Sequence, residues 1–207
     1  MNSETKIHWD NVYLSKDPTE TSWYQKDPTV SLNLINDAGI SHSSSIVDIG
    51  GGASVLVDKL LDQGFQDLTV VDISERALEH TKHRLANRAD DINWIVADIT
   101  EYEFQREYDL WHDRAVFHFL TNPEQRERYK QSLKNTLAPN GYLILATFAL
   151  DGPMKCSGLE VERYDTAKLQ AELGNDFDLL KSVEENHQTP WGSEQKFTYC
   201  LFKKIGS

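Results

Sequence analysis

The stretch Ile46-Val47-Asp48-Ile49-Gly50-Gly51-Gly52-Ala53-Ser54 decides the fold. An apolar β-type run carries an acid straight into three glycines, and a helical pattern follows at once. Gly50 and Gly52 permit positive φ and offer no Cβ, so a ligand can lie against the backbone. Strand-to-helix turns of this kind hold nucleotide-like ligands at the edge of open α/β sheets. The dinucleotide fingerprint G-x-G-x-x-G requires glycine at position 55, where Val55 stands. That departure argues against a nicotinamide-dependent reductase.

Two later runs repeat the pattern of a buried strand ending in an acid. Leu68-Thr69-Val70-Val71-Asp72-Ile73-Ser74 is the first. In nucleotide-binding topologies an acid about 20 residues beyond the glycine turn accepts hydrogen bonds from ribose hydroxyls. Asp72 fits that role, with Ile73 as an apolar surface beneath an adenine and Ser74 as the cap of the next helix. The second run, Ile92-Asn93-Trp94-Ile95-Val96-Ala97-Asp98-Ile99, places Asp98 to accept from an adenine amino group, with Ile99 beside it. Three strands thus deliver Asp48, Asp72 and Asp98 to one edge.

Composition sets the outer limits. With 207 residues the chain suits one domain, 1–207, with a substantial core. Charged residues at 26% and hydrophobic ones at 39% are ordinary for a globular protein. A net charge of −12 argues against nucleic acid and against anionic membrane surfaces. No run approaches the ~18 apolar residues of a membrane span, and Met1-Asn2-Ser3-Glu4 has no signal-peptide core. Cys156 and Cys200 are too few for a disulfide framework or a zinc site, so no metal is expected. Cys200 reads as a packed strand residue and Cys156 as loop-borne and exposed. A reducing cytoplasm and a monomer are the expected setting.

Strand and helix patterns alternate, which predicts a mostly parallel, doubly wound sheet. Helices are expected over Val55 to Asp62, closed by Gly64, and from Ser74 to about Asn87. Tyr108 to His112 is the fourth strand. Asn122-Pro123-Glu124-Gln125 starts a helix with Asn as cap, Pro in the first turn and Gln three residues on. Pro139-Asn140-Gly141 turns into the fifth strand, Tyr142 to Phe148, and Asp165 caps a helix to about Leu173. Leu179–Glu184 and Lys196–Phe202 close the sheet as an antiparallel hairpin at its edge.

The acid-to-glycine turn resembles motif I of class I S-adenosylmethionine (SAM) methyltransferases, usually E/D-x-G-x-G-x-G, with Ser54 in place of the last glycine. His8-Trp9-Asp10-Asn11-Val12-Tyr13, followed by Ser22-Trp23-Tyr24-Gln25, is similar to the N-terminal cap of thiopurine and thiol/halide methyltransferases. It is also similar to the start of lysine methyltransferases acting on elongation factor and citrate synthase. The run Trp111-His112-Asp113-Arg114-Ala115-Val116-Phe117-His118-Phe119-Leu120 looks like the acid–arginine segment of thiopurine-type enzymes. No Asn-Pro-Pro-Tyr-like motif of nucleobase or amide methylation occurs.

The resemblance implies a Rossmann-like seven-stranded sheet, SAM as cofactor, and S-adenosylhomocysteine as product. It implies that residues 1–30 cap the cofactor site, with Trp23 and Tyr24 touching a sulfonium that aromatic faces attract. Trp9 reads equally well as packing. The implied cofactor set is Trp23, Tyr24, Asp48, Gly50, Gly52, Asp72, Ile73, Asp98, Ile99 and His112, the last through its backbone rather than its side chain. Asp113, Arg114 and His118 are the expected reaction-side residues, Arg114 orienting an acceptor group or else pairing with Asp113. His187, Trp191 and Gln195 are candidates to complete the pocket.

The expected reaction is SN2 methyl transfer to a small soft nucleophile such as a thiol or chalcogen. A protein lysine is the alternative acceptor. A SAM-binding regulatory protein without turnover is the reading from another class.

Overall fold

Strand β1 (Ser45–Ile49) is buried along its whole length, because parallel strands at the centre of a doubly wound sheet are covered on both faces. The computed structural model describes residues 3–206. β1 pairs in parallel with β2 (Asp67–Asp72) on one side and β4 (Tyr108–Arg114) on the other. With β3 (Ile92–Val96), β5 (Leu137–Phe148), β8 (Phe177–Gln188) and β9 (Glu194–Lys204), the sheet runs β3-β2-β1-β4-β5-β9-β8. β9 alone runs opposite to the other six strands of this sheet, antiparallel to both β5 and β8. The strand order reverses between β1 and β4, and ligands bind at such a switch point.

Period-two alternation sends one set of strand residues to each face. On one face Ile46, Leu68, Leu110 and Ile144 meet α2 (Thr29–Ala38), α3 (Leu56–Asp62) and α4 (Glu75–Leu85) through Leu34, Leu60 and Leu78. On the other face Val47, Val71, Trp111 and Leu143 meet α5 (Pro123–Thr136) and α6 (Thr166–Leu173) through Leu133 and Leu169. The expected caps are present. Ser74 accepts from the Ala77 amide, Asn122 from Glu124 and Asp165 from Lys168.

Three readings change. The closing hairpin sits at the sheet edge, as read, but both its strands are longer than expected, and the second pairs on both sides. β9 slots between β5 and β8, so its residues 197–202 are all buried while β8 alternates as an edge strand should. Pairing of β5 begins at Leu137, before the Pro139-Asn140-Gly141 turn, which sits inside the strand as a bulge with Asn140 at φ +62°. Cys156 is buried, not exposed, because it belongs to a small hairpin, β6 (Lys155–Cys156) with β7 (Leu159–Glu160), turned by Ser157 and Gly158 at positive φ. Cys200 is a buried β9 residue, as read. Among the described residues no helix is long and apolar enough to cross a membrane.

Candidate active site

The C-terminal ends of β1 to β4 open onto a cleft of about 380 Å³. Its sheet side is Ile49, Gly50, Asp72, Ile73, Asp98 and Ile99. Its far wall is Thr5, Trp9, Tyr13 and Trp23 with Phe119, Cys156, Leu159 and Glu160. A smaller chamber of about 50 Å³ is lined by Tyr24, Ser31, Asp48, Gly51, His112 and Arg114, and it shares Tyr13, Trp23, Ile49, Gly50 and Arg114 with the main cleft.

The glycines are required for different reasons. Gly50 has φ +69°, and a Cβ there would lie 2.1 Å from Val116 Cγ2. Gly52 does not take a positive φ and lines neither chamber. A Cβ on it would strike Ala77 and Asp72 at 2.5 Å, so its small size lets the turn close onto β2. Ser54 has its own use, because its hydroxyl accepts the amide of Leu56, the first residue of α3.

The three acids reach one edge and divide between the chambers. Asp72 Oδ2 accepts from the Gly52 amide at 3.0 Å and Oδ1 from Ser74 at 2.8 Å, which leaves lone pairs facing the main cleft. Burial pushes its carboxyl up to about 6, the two amides acting the other way and Asp48 and Asp10 adding to the rise. Asp98 spends Oδ1 on the Thr100 amide and hydroxyl and keeps Oδ2 for a donor. Asp48 turns to the smaller chamber, and its buried Oδ2 has no partner. Such an orphan costs about 1–3 kcal/mol until a ligand satisfies it.

Trp23 lines both chambers, while Tyr24 reaches only the smaller one. Trp9 and Tyr13 belong to the site as well. They stack edge-on against Trp23 at 5.6 and 6.4 Å, and Trp9 meets Phe119 at 5.2 Å. Their i, i+4 spacing on α1 (Ser3–Ser15) was the sequence signal for a shared face.

The reaction-side residues need the most correction. Asp113 is fully buried and lines neither chamber. It accepts the Val116 and Phe117 amides and the Tyr129 hydroxyl at 2.6 Å, so it pins the turn after β4. His118 is also fully buried, packed between Phe119 and Phe148, with Nδ1 accepting the Phe148 amide. Burial, aided by Arg114, drives its imidazole down to about 3, so it stays neutral and away from the cleft.

Arg114 lines both chambers but does not pair with Asp113. Alternation puts the two on opposite faces of β4. Its Nε donates to Tyr199 Oη at 2.6 Å and Nη1 to the Trp23 carbonyl at 3.0 Å, and it stacks 4.4 Å from Phe197. Nη2 lies 3.8 Å from Glu185 with no hydrogen bond, so Nε and Nη1 are engaged and Nη2 is the guanidinium nitrogen left for a further acceptor.

His112 does more than offer its backbone. Its side chain bridges Asp48 at 2.7 Å and Ser31 at 2.9 Å. Of the pocket-completing candidates, His187 bonds the Ser22 carbonyl, Trp191 is exposed and Gln195 is buried, and none lines either chamber.

The arrangement fits SAM. Gly50 brings bare backbone to both chambers, Asp72 and Asp98 face the main cleft with spare acceptors, and Asp48 keeps only Oδ2 unpartnered in the smaller one. Comparison with known proteins agrees. Residues 46–141 match the methyltransferase domain family. The chain is 28% identical over 158 residues to EEF1A lysine methyltransferase 2 of Danio rerio, covering 69% of this chain and 68% of that protein. It is 36% identical over 106 residues to malonyl-[acyl-carrier protein] O-methyltransferase of Anoxybacillus flavithermus, covering 50% of this chain and 39% of that protein. The match thus spans less than half of the bacterial relative's length. The fold is that of N-methyltransferase NodS from Bradyrhizobium japonicum WM9 in complex with S-adenosyl-L-homocysteine, with TM-score 0.72, 18% identity and coverage of 96% and 98%. Motif I, the acids of the strand ends, the sheet order and these likenesses converge: the chain belongs to the class I SAM-dependent methyltransferases.

Proposed function

We propose that the chain transfers the methyl group of SAM to a small soft nucleophile, a thiol or chalcogen-like metabolite. When bound, SAM supplies an electrophilic methyl on a sulfonium. Asp72 holds the ribose hydroxyls, Asp98 the adenine amino group, and Ile73 and Ile99 the adenine faces. Residues 1–30 act as a cap whose aromatic side chains exclude water and lie near the cationic sulfur. The chain's main catalytic contribution is in-line positioning, for which effective molarities can reach ~10⁵ M or more.

One observation supports the choice of acceptor: among the described residues the wall opposite the sheet is mainly apolar, and its one carboxylate, Glu160, is engaged with Lys155. Trp9, Trp23, Phe119, Leu120 and Leu159 are apolar. The Cys156 thiol is pushed up to about 11 by burial, and Glu160 pairs with Lys155 at 2.8 Å. His118, the remaining base candidate, is buried elsewhere. A thiol or selenol acceptor is itself partly ionised near neutral pH and needs no base.

The second reading, a protein lysine, is supported by the likeness to the Danio rerio lysine methyltransferase. Labelled SAM offered to a thiol panel and to size-resolved cell extract separates them. Label in thiols supports the first reading, and label only in protein bands overturns it in favour of the second.

A further inference from the structure

Helix α1 carries Thr5, Trp9 and Tyr13 into the far wall of the main cleft, yet its apolar anchorage there is narrow. Ile7 and Leu14 share its outer side and are 58% and 64% exposed, and of its apolar side chains only Tyr13 is buried. Trp9 and Tyr13 rest on Trp23, Ala53 and Ala77. Two polar contacts tie the helix to α4. His80 Nε2 lies 3.2 Å from the Tyr13 carbonyl, and the Ser74 hydroxyl donates to Asp10 Oδ1 at 2.7 Å.

Ser74 is fully buried at the start of α4, and its polar groups are committed. Its amide donates to Asp72 Oδ1 at 2.8 Å, and its side-chain oxygen accepts the Ala77 amide at 3.3 Å. A buried hydroxyl also needs an acceptor for its own proton, and Asp10 is that acceptor. Burial opposes ionisation of Asp10, but Lys6 at 2.6 Å and Ser74 outweigh it and hold the carboxyl below its ordinary value. One serine thus fixes the acid of the ribose edge with its backbone and the cap helix with its side chain.

Resting on the SAM reading of the site, we propose that Asp10 is a positioning residue whose bond to Ser74 seats α1, and with it Trp9 and Tyr13, over the cofactor. The cofactor meets these rings only while α1 is docked. Occupancy therefore favours the docked helix, and a weaker seat lowers the apparent affinity. The bond needs an acceptor oxygen, which asparagine retains and alanine lacks. Alanine is also the better helix former, so any loosening of α1 by Asp10→Ala is not a loss of helix propensity.

Calorimetry and amide hydrogen exchange of the full chain with S-adenosylhomocysteine test this. Asp10→Ala is expected to weaken the ligand about 3- to 10-fold and to speed exchange in α1, while β1, β2 and β4 stay protected. Asp10→Asn is expected to restore both to near the wild-type values. Unchanged affinity in Asp10→Ala overturns the proposal. An equal loss in the two variants overturns it too, since the carboxylate charge and not the bond to Ser74 is then at work. Faster exchange throughout the sheet, with a matching fall in melting temperature, overturns it in favour of a general structural role. If the wild-type chain does not bind S-adenosylhomocysteine, it is the SAM reading that fails. Exchange in ligand-free Asp10→Ala then still decides whether the bond to Ser74 seats the helix.

Discussion

Asp72 concentrates the chemistry of the cofactor edge in one side chain. Two ribose hydroxyls donating to a carboxylate are worth roughly 1.5–3 kcal/mol each, so Asp72→Ala should lower SAM affinity tenfold or more while the fold persists. Its carboxyl sits at about 6, above the ordinary 3.8. Donors need the ionised form, so affinity should be constant above pH 7 and fall up to tenfold per pH unit below about 6. Asp72→Asn should abolish that step. The sign for stability is opposite: a folded-state value above the unfolded one favours the fold as pH drops from about 6 toward 3.8. Lost affinity in that window, measured by calorimetry, is therefore not this group unfolding the chain. Asp113 gives the contrasting case. Tyr129→Phe removes its 2.6 Å partner and should cost about 1.5–3 kcal/mol in denaturant unfolding, with kcat unchanged per folded molecule. A selective fall in kcat at constant stability would restore Asp113 to the reaction.

At the scale of elements, the N-terminal segment is held by a few identifiable bonds. The Trp23 carbonyl takes Arg114, the Ser22 carbonyl takes His187, and Gln25 reaches Glu185 at 2.9 Å. Deleting residues 1–25 should weaken SAM binding, and S-adenosylhomocysteine should protect this segment from limited proteolysis. A truncated chain that folds and binds SAM as tightly as the full one would remove the cap from the mechanism. The elements themselves were legible because β1, β2 and the second half of β5 are short, mainly apolar runs bounded by acids or turn residues, and because Ser74, Asn122 and Asp165 are strong caps. The side chains at the end of β4 were not. His112 and Arg114 share one face of β4 and Asp113 the other, so adjacency in sequence grouped residues that the pleat separates. Period two, applied from Leu110 onward, would have moved Asp113 to the Trp111 side. The partners of Arg114 were hidden for another reason, since Tyr199 and Glu185 reach it only because β9 is threaded between β5 and β8.

Across the whole molecule, ligand binding and stability are linked. A ligand at 100 times its Kd that binds only the folded state adds about 2.7 kcal/mol. For a chain of this size that corresponds to roughly 5–11 °C in Tm. S-adenosylhomocysteine should produce such a shift in a thermal melt and NAD none; a shift with NAD alone would contradict the cofactor assignment. The order β3-β2-β1-β4-β5-β9-β8 also has a consequence for synthesis on the ribosome. β5 is complete at Phe148, but its outer edge stays bare until residues 194–204 have been made. At about 5–20 residues per second, that interval lasts several seconds. During it a buried-type strand presents unpaired amides and carbonyls to solvent, and Arg114 has neither Tyr199 nor Glu185 to answer its charge. The nascent chain is therefore most exposed to chaperones and to misassociation after its cofactor-binding strands exist and before the strand that seals them has emerged.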